Sequence, residues 1–181
     1  MSGNSFEGFG TDERLTALRD SIVRVFPAIP YEGQVTHHDG AWLPELTEEN
    51  AIHDDDMFLY EALLGRKWSD VPRDFIYAMA GDWVLLTDEA LVAFLAAWLV
   101  RSLENIDGEN DVRESFVYAF SPSGVTPTRD FIAKRLNALN FEQRGLVRSL
   151  LVEFGQRART GFIRRHAASA VELIDSLNLS H

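Results

Sequence analysis

The chain predicts an all-α fold, a compact irregular helical bundle built around a buried central helix at residues 87-104. Three observations carry that expectation. Eleven unbroken apolar residues, Ala90 to Val100, mark a helix buried on nearly every side. Residues suited to helix capping stand before most other apolar runs. No alternation of apolar and polar residues persists long enough for a convincing strand.

The elements follow in order. Thr11, Asp12 and Glu13 precede Leu15, Leu18, Ile22, Val23 and Phe26, whose spacings of three and four make an amphipathic stripe that Pro27 ends. Residues 27-53 hold three prolines and two glycines, and form a long loop with a short extended piece. Such a loop is unusual in a compact domain and tends to be functional. Asp54 is placed to cap a helix running from Met57 to Leu64, with Gly65 as its stop. Ser69 then caps a short helix that turns Phe75, Ile76 and Met79 inward and ends near Gly81.

Thr87 is the N-cap of the central helix, and Asp88 and Glu89 sit where the helix dipole favours anions. A polar loop, 105-111, leads to Val112, Phe116, Val117 and Phe120, which fit a short helix or a strand. Residues 121-128, SPSGVTPT, are the clearest break in the chain. Phe131, Ile132, Leu136 and Leu139 form another stripe. Asn140 with Gln143 makes a capping box for a helix through Phe154, ended by Gly155 or Gly161. The tail from Phe162 to Leu177 is helix-compatible. Residues 1-181 are expected to form one all-α domain with the long loop at 27-53.

Charge is divided unevenly. The net value is -11, but residues 1-114 carry -15 and residues 115-181 carry +4. The plainer expectation is that the two parts fold against each other and partly neutralise. The acidic total disfavours nucleic acid, whose phosphates repel it at long range. The absence of cysteine rules out disulfides and thiolate ligands, leaving any metal to His and carboxylates. The first residues lack the basic and apolar regions of a secretory signal, so a cytoplasmic location is expected. The central apolar run is shorter than the roughly 20 residues a membrane span needs, and no membrane association is expected.

Four clusters are candidates for function. His37, His38, His53 and Asp56 offer imidazoles and a carboxylate for a divalent ion, although their spacing matches no metal signature and acids at a helix start answer the dipole alone. His166 with Glu153 and Glu172 offers acid-base groups, yet no G-x-S-x-G elbow, H-E-x-x-H pair or phosphate-cradling loop accompanies them. No catalytic residue and no cofactor is therefore assigned. Tyr31 and Trp42 lie in the acidic loop near Asp54, Asp55 and Asp56, a combination suited to a partner with a basic surface; Trp98 belongs to the core. Arg157, Arg159, Arg164 and Arg165, joined by Arg144 and Arg148, form a basic cluster able to grip phosphate or carboxylate, unless the chain's own acids occupy it.

The block Leu63 to Leu103, with its Gly65 to Trp68 step, polar helix and Leu86-Thr87 start before a long apolar helix, resembles a family of small bacterial helical proteins of unknown function. The helix Leu139 to Phe154 resembles that family's closing helix. The resemblance implies a helical fold and a bacterial source, and it implies no activity. Taken together, the sequence points to a non-catalytic acidic interaction protein, of an immunity or antitoxin-like kind. The alternatives are a metal-assisted hydrolase using the loop histidines and nucleic-acid binding through the arginines; a second copy of the chain is a further possible partner.

Overall fold

The structure, a computed structural model, describes residues 12–36, 54–122 and 127–179, apart from the side chains of residues 54, 55 and 57. Among the described residues the fold is all-α, as expected, with no sheet. The helices are α1 (Glu13–Val25), α2 (Asp54–Leu63), α3 (Arg73–Ala78), α4 (Asp88–Ser102), α5 (Asp111–Ala119), α6 (Arg129–Ala138), α7 (Phe141–Arg157) and α8 (Gly161–Asn178), with single 3-10 turns at Trp68–Asp70 and Asp82–Leu85.

Thr87 fixes two things with one hydroxyl. Its Oγ1 accepts from the Ala90 N–H at 3.1 Å, capping α4, and donates to the Gln34 carbonyl at 2.7 Å. The Thr87 N–H also donates to the Val35 carbonyl at 3.0 Å, and Thr36 pairs with Leu86 in an isolated antiparallel bridge. The short extended piece of the long loop is thereby tied to the start of the central helix. Further back, Tyr31 and the end of α2 exchange backbone hydrogen bonds, Tyr31 N to Arg66 O at 3.0 Å and Gly65 N to Tyr31 O at 2.7 Å. Gly65 has φ +73°, a conformation that explains glycine at this helix exit.

α4 is the centre of the core. Phe94, Leu95, Ala96, Trp98 and Leu99 are fully buried. Each large apolar side chain so placed contributes roughly 2 kcal/mol through burial. α1, α3, α5, α6 and the 68–70 turn surround this helix, while α8 lies along α7 and reaches α5 and α6. Two buried indoles are satisfied by backbone: Trp98 Nε1 donates to Met79 O at 3.1 Å, and Trp68 Nε1 to Phe26 O at 2.9 Å. Trp83 of the Asp82–Leu85 turn, Phe116 and Phe120 at α5 and Phe154 of α7 stack in tilted and edge-on pairs.

Several expectations are corrected. Asp12 caps α1, its Oδ1 accepting from Arg14 N at 3.0 Å, while Thr11 lies outside the described residues. Ser69 caps no helix; its hydroxyl turns to Asp70, and α3 starts after Pro72, whose fixed φ suits a helix entrance. Of the helix and strand left open after the 105-111 loop, the helix forms as α5 (Asp111–Ala119), with Asn110 accepting from Arg113 N at 3.0 Å as its cap. Neither Gly155 nor Gly161 stops α7. Gly155 lies inside it, where an added Cβ would come 3.3 Å from the Ala167 Cβ, and Gly161 opens α8 behind the Thr160 cap. Phe131 leaves the apolar stripe and is 41% exposed, with the Arg135 guanidinium 5.6 Å above its ring.

Candidate functional site

The residues singled out from the sequence are not gathered at one place. His37, His38, Trp42 and His53 lie outside the described residues, and Asp54 and Asp55 open α2 with side chains not described. Asp56 is half-buried in the first turn of that helix. Among the described residues no three His, Asp or Glu side chains converge as metal ligands would. Tyr31 is half-buried; its ring meets Phe94 edge-on at 5.6 Å, and its hydroxyl donates to Gln34 O at 2.9 Å. This side chain holds the loop onto α4. Arg164 and Arg165 are exposed on the first turns of α8, with Arg164 Nη2 donating to the Ala158 carbonyl at 3.1 Å.

Several other arginines are engaged within the chain, and Arg113, Arg135 and Arg144 are buried. Arg135 is buried, its guanidinium donating to the carbonyls of Leu86 and Trp83, and burial lowers its pKa to about 10 against the opposing pull of Asp88. Arg144 donates to Leu139 O at 2.9 Å, and Arg113 to the carbonyls of Ile106 and Gly108. Desolvation also lowers the Arg113 pKa. Carbonyls left over where helices and loops end are thus met by guanidinium donors from elsewhere in the chain. Arg148 makes a bidentate pair with Asp175 at 2.6 and 3.0 Å.

Arg157 is the centre of a charged node between α1, α7 and the 105–110 loop. Its Nε donates to Glu153 at 2.5 Å, Nη2 pairs with Asp12, and Nη1 lies 3.4 Å from Asp107. Arg14 Nε approaches the other Glu153 oxygen at 2.9 Å, off the angle of a hydrogen bond. The Glu153 side chain is only 2% exposed and pairs with both of these cations. Hydrogen bonding from Arg157 lowers the Asp12 pKa. Glu153 consequently does not meet His166. The His166 Nδ1 lies 2.9 Å from the Ser121 hydroxyl, and its ring packs edge-on to Tyr118 and Phe162. Burial, then the nearby Arg165 charge, lowers the imidazole pKa.

Two features escaped sequence reasoning. Glu104 gathers Arg101 at 2.6 Å, Arg73 at 2.8 Å and the Tyr77 hydroxyl at 3.0 Å, joining α3 to the end of α4. The Arg101 pair is visible as an i, i+3 spacing, but the other two partners come from a helix whose placement only folding supplies. The second feature is an open groove of about 440 Å³ between α7 and α8, walled by Leu151, Val152, Gly155, Ala167, Ala168 and Val171. Gln156, Arg164 and Glu172 form its polar rim.

Among the described residues these nodes tie elements together, and the α7–α8 groove is a mainly apolar surface open to solvent. The molecule is therefore classed by its all-α bundle. Comparisons of the chain with protein-family profiles, curated proteins and solved structures find no match. No helix among the described residues is long and apolar enough to cross a membrane.

Proposed function

We propose that this chain is a non-catalytic interaction module, of an immunity or antitoxin-like kind, that offers an acidic surface to a protein with a basic face. The observation that supports the reading is the fate of the cations. Arg113, Arg135 and Arg144 are buried and serve backbone carbonyls, so these three do little to offset acids on the outer surface. Glu13 and Asp20 on α1, Glu61 on α2, Asp74 on α3, and Glu109 and Asp111 before and within α5 are exposed. Opposite charge on a partner would accelerate encounter and select against acidic competitors.

The test is a comparison of the native chain with a variant carrying Asp54→Lys, Asp55→Lys and Asp56→Lys. A partner is first crosslinked to the native chain in cell extract, then purified and titrated against both proteins at low and high salt. The expected result is at least about tenfold weaker binding by the variant, with the native affinity falling as salt rises. Equal affinity for both chains, or a captured partner whose contact face is acidic, would remove the reading.

A further inference from the structure

The α7–α8 groove and the charges along it form a self-complementary pattern. α8 rises about 1.5 Å per residue and returns to the same face every three or four positions. Arg164, Ala168 and Glu172 therefore lie in one row, with Arg164 four residues before Ala168 and Glu172 four residues after it. All three are exposed, and all three line the groove. A second α8 laid antiparallel across Ala168 brings each Arg164 opposite the other copy's Glu172. Both ends of the contact are then neutralised by the same pairing, as an isologous interface requires.

We propose that two copies of this chain associate about a two-fold axis beside Ala168, each α8 lying in the α7–α8 groove of its partner. Sterics favour this placement. The residue at the axis is alanine, and Gly155 lets α7 and α8 approach until a Cβ there would stand 3.3 Å from that of Ala167. The floor is consequently shallow enough for another helix, and Leu151, Val152 and Val171 give it apolar walls.

Charge along the groove fits it as well. A chain of net -11 repels its own copy at long range, but the charged residues that line the groove, Arg164 and Glu172, sum to zero, so this face adds little to that barrier. An acidic helix from another protein would satisfy Arg164 yet confront Glu172. A second copy satisfies both. The inference stands apart from the acidic-surface reading, which concerns α1 to α5.

Light scattering coupled to size exclusion, at about 50 µM full-length chain, tests it. The expected mass for the native protein is twice the 20.4 kDa of one chain. Arg164→Glu and Glu172→Arg, each alone, set like charges opposite one another and should weaken the dimer at least about tenfold. The double exchange, Arg164→Glu with Glu172→Arg, restores the pairing and should restore the dimer. Because the chain has no other cysteine, Ala168→Cys should also join two copies efficiently through a short bismaleimide. Circular dichroism confirms that each variant is folded. A native mass of one chain, a dimer indifferent to both single exchanges, or a double exchange that stays monomeric overturns the proposal.

Discussion

Arg135 of α6 grips the carbonyl of Leu86 just ahead of α4, and its second terminal nitrogen reaches the Trp83 carbonyl at 3.0 Å. The contact fixes α6 to the entrance of the central helix, and the Arg135 side chain is only 4% exposed. Arg135→Met keeps most of the volume but leaves the Leu86 carbonyl without this donor, while the Trp83 carbonyl keeps the Leu86 N–H at 3.3 Å. Each buried unsatisfied group costs about 1–3 kcal/mol, so urea unfolding should show a loss of about 2 kcal/mol. Arg135→Lys, able to serve only part of the pair, should fall between. A methionine variant as stable as the native chain would show that the clasp contributes nothing.

Acid should loosen the bundle at named carboxylates. Burial pushes the Glu104 pKa up, but hydrogen bonds from Arg101 and Arg73 overrule it and the net shift is downward from 4.5. Asp175 is lowered from 3.8 by the hydrogen bond from Arg148. A carboxyl with a depressed folded pKa stabilises fully above its unfolded value, and that contribution vanishes as pH falls through the folded one. The native Tm should therefore drop between about pH 5 and pH 3. Glu104→Gln should start lower at neutral pH and lose less over that interval. Parallel melting curves for the two proteins would contradict the assignment.

Two glycines of α7 separate propensity from packing. Gly145 has open space where a Cβ would stand, whereas at Gly155 the Cβ would press on Ala167. Gly145→Ala should stabilise the chain by up to about 1 kcal/mol. Gly155→Ala should gain less, and Gly155→Val should destabilise by forcing α7 from α8. The three melting temperatures decide it; a gain at Gly155 equal to that at Gly145 would mean the helices are not in tight contact there.

His166 should titrate below 6.5, because burial and then Arg165 disfavour the imidazolium. Its contribution to stability is complete above 6.5 and is lost as pH falls through the folded pKa. Proton NMR of the ring follows the titration directly. Arg165→Gln should raise the midpoint. A native midpoint at or above 6.5, or one unmoved by that replacement, would refute the electrostatic account.

The parts of the fold that were legible are those decided by neighbours in sequence. Thr87 before an apolar run and the Asn140–Gln143 capping box both form at the expected places, because a cap needs only a side chain two or three residues from the N–H it serves. Ser69 failed as a cap because it lies inside the Trp68–Asp70 turn, and α3 begins only after Pro72. Gly155 failed as a stop because its conformational freedom is unused; the missing Cβ serves contact between helices, a need that a local pattern does not encode.

By itself the sequence determined an all-α chain, the identity of its buried centre and the opposition of an acidic part to a basic one. Periodicity, capping and charge count are properties of residues a few positions apart or of the chain as a whole. Only the tertiary structure decided that Arg157 serves Glu153 and Asp12 while Arg135 serves the backbone, and that Arg164 and Glu172 share the rim of an open groove. A guanidinium will bond any oxygen brought within about 3 Å. Which oxygen arrives there is set by helices packing from distant parts of the chain.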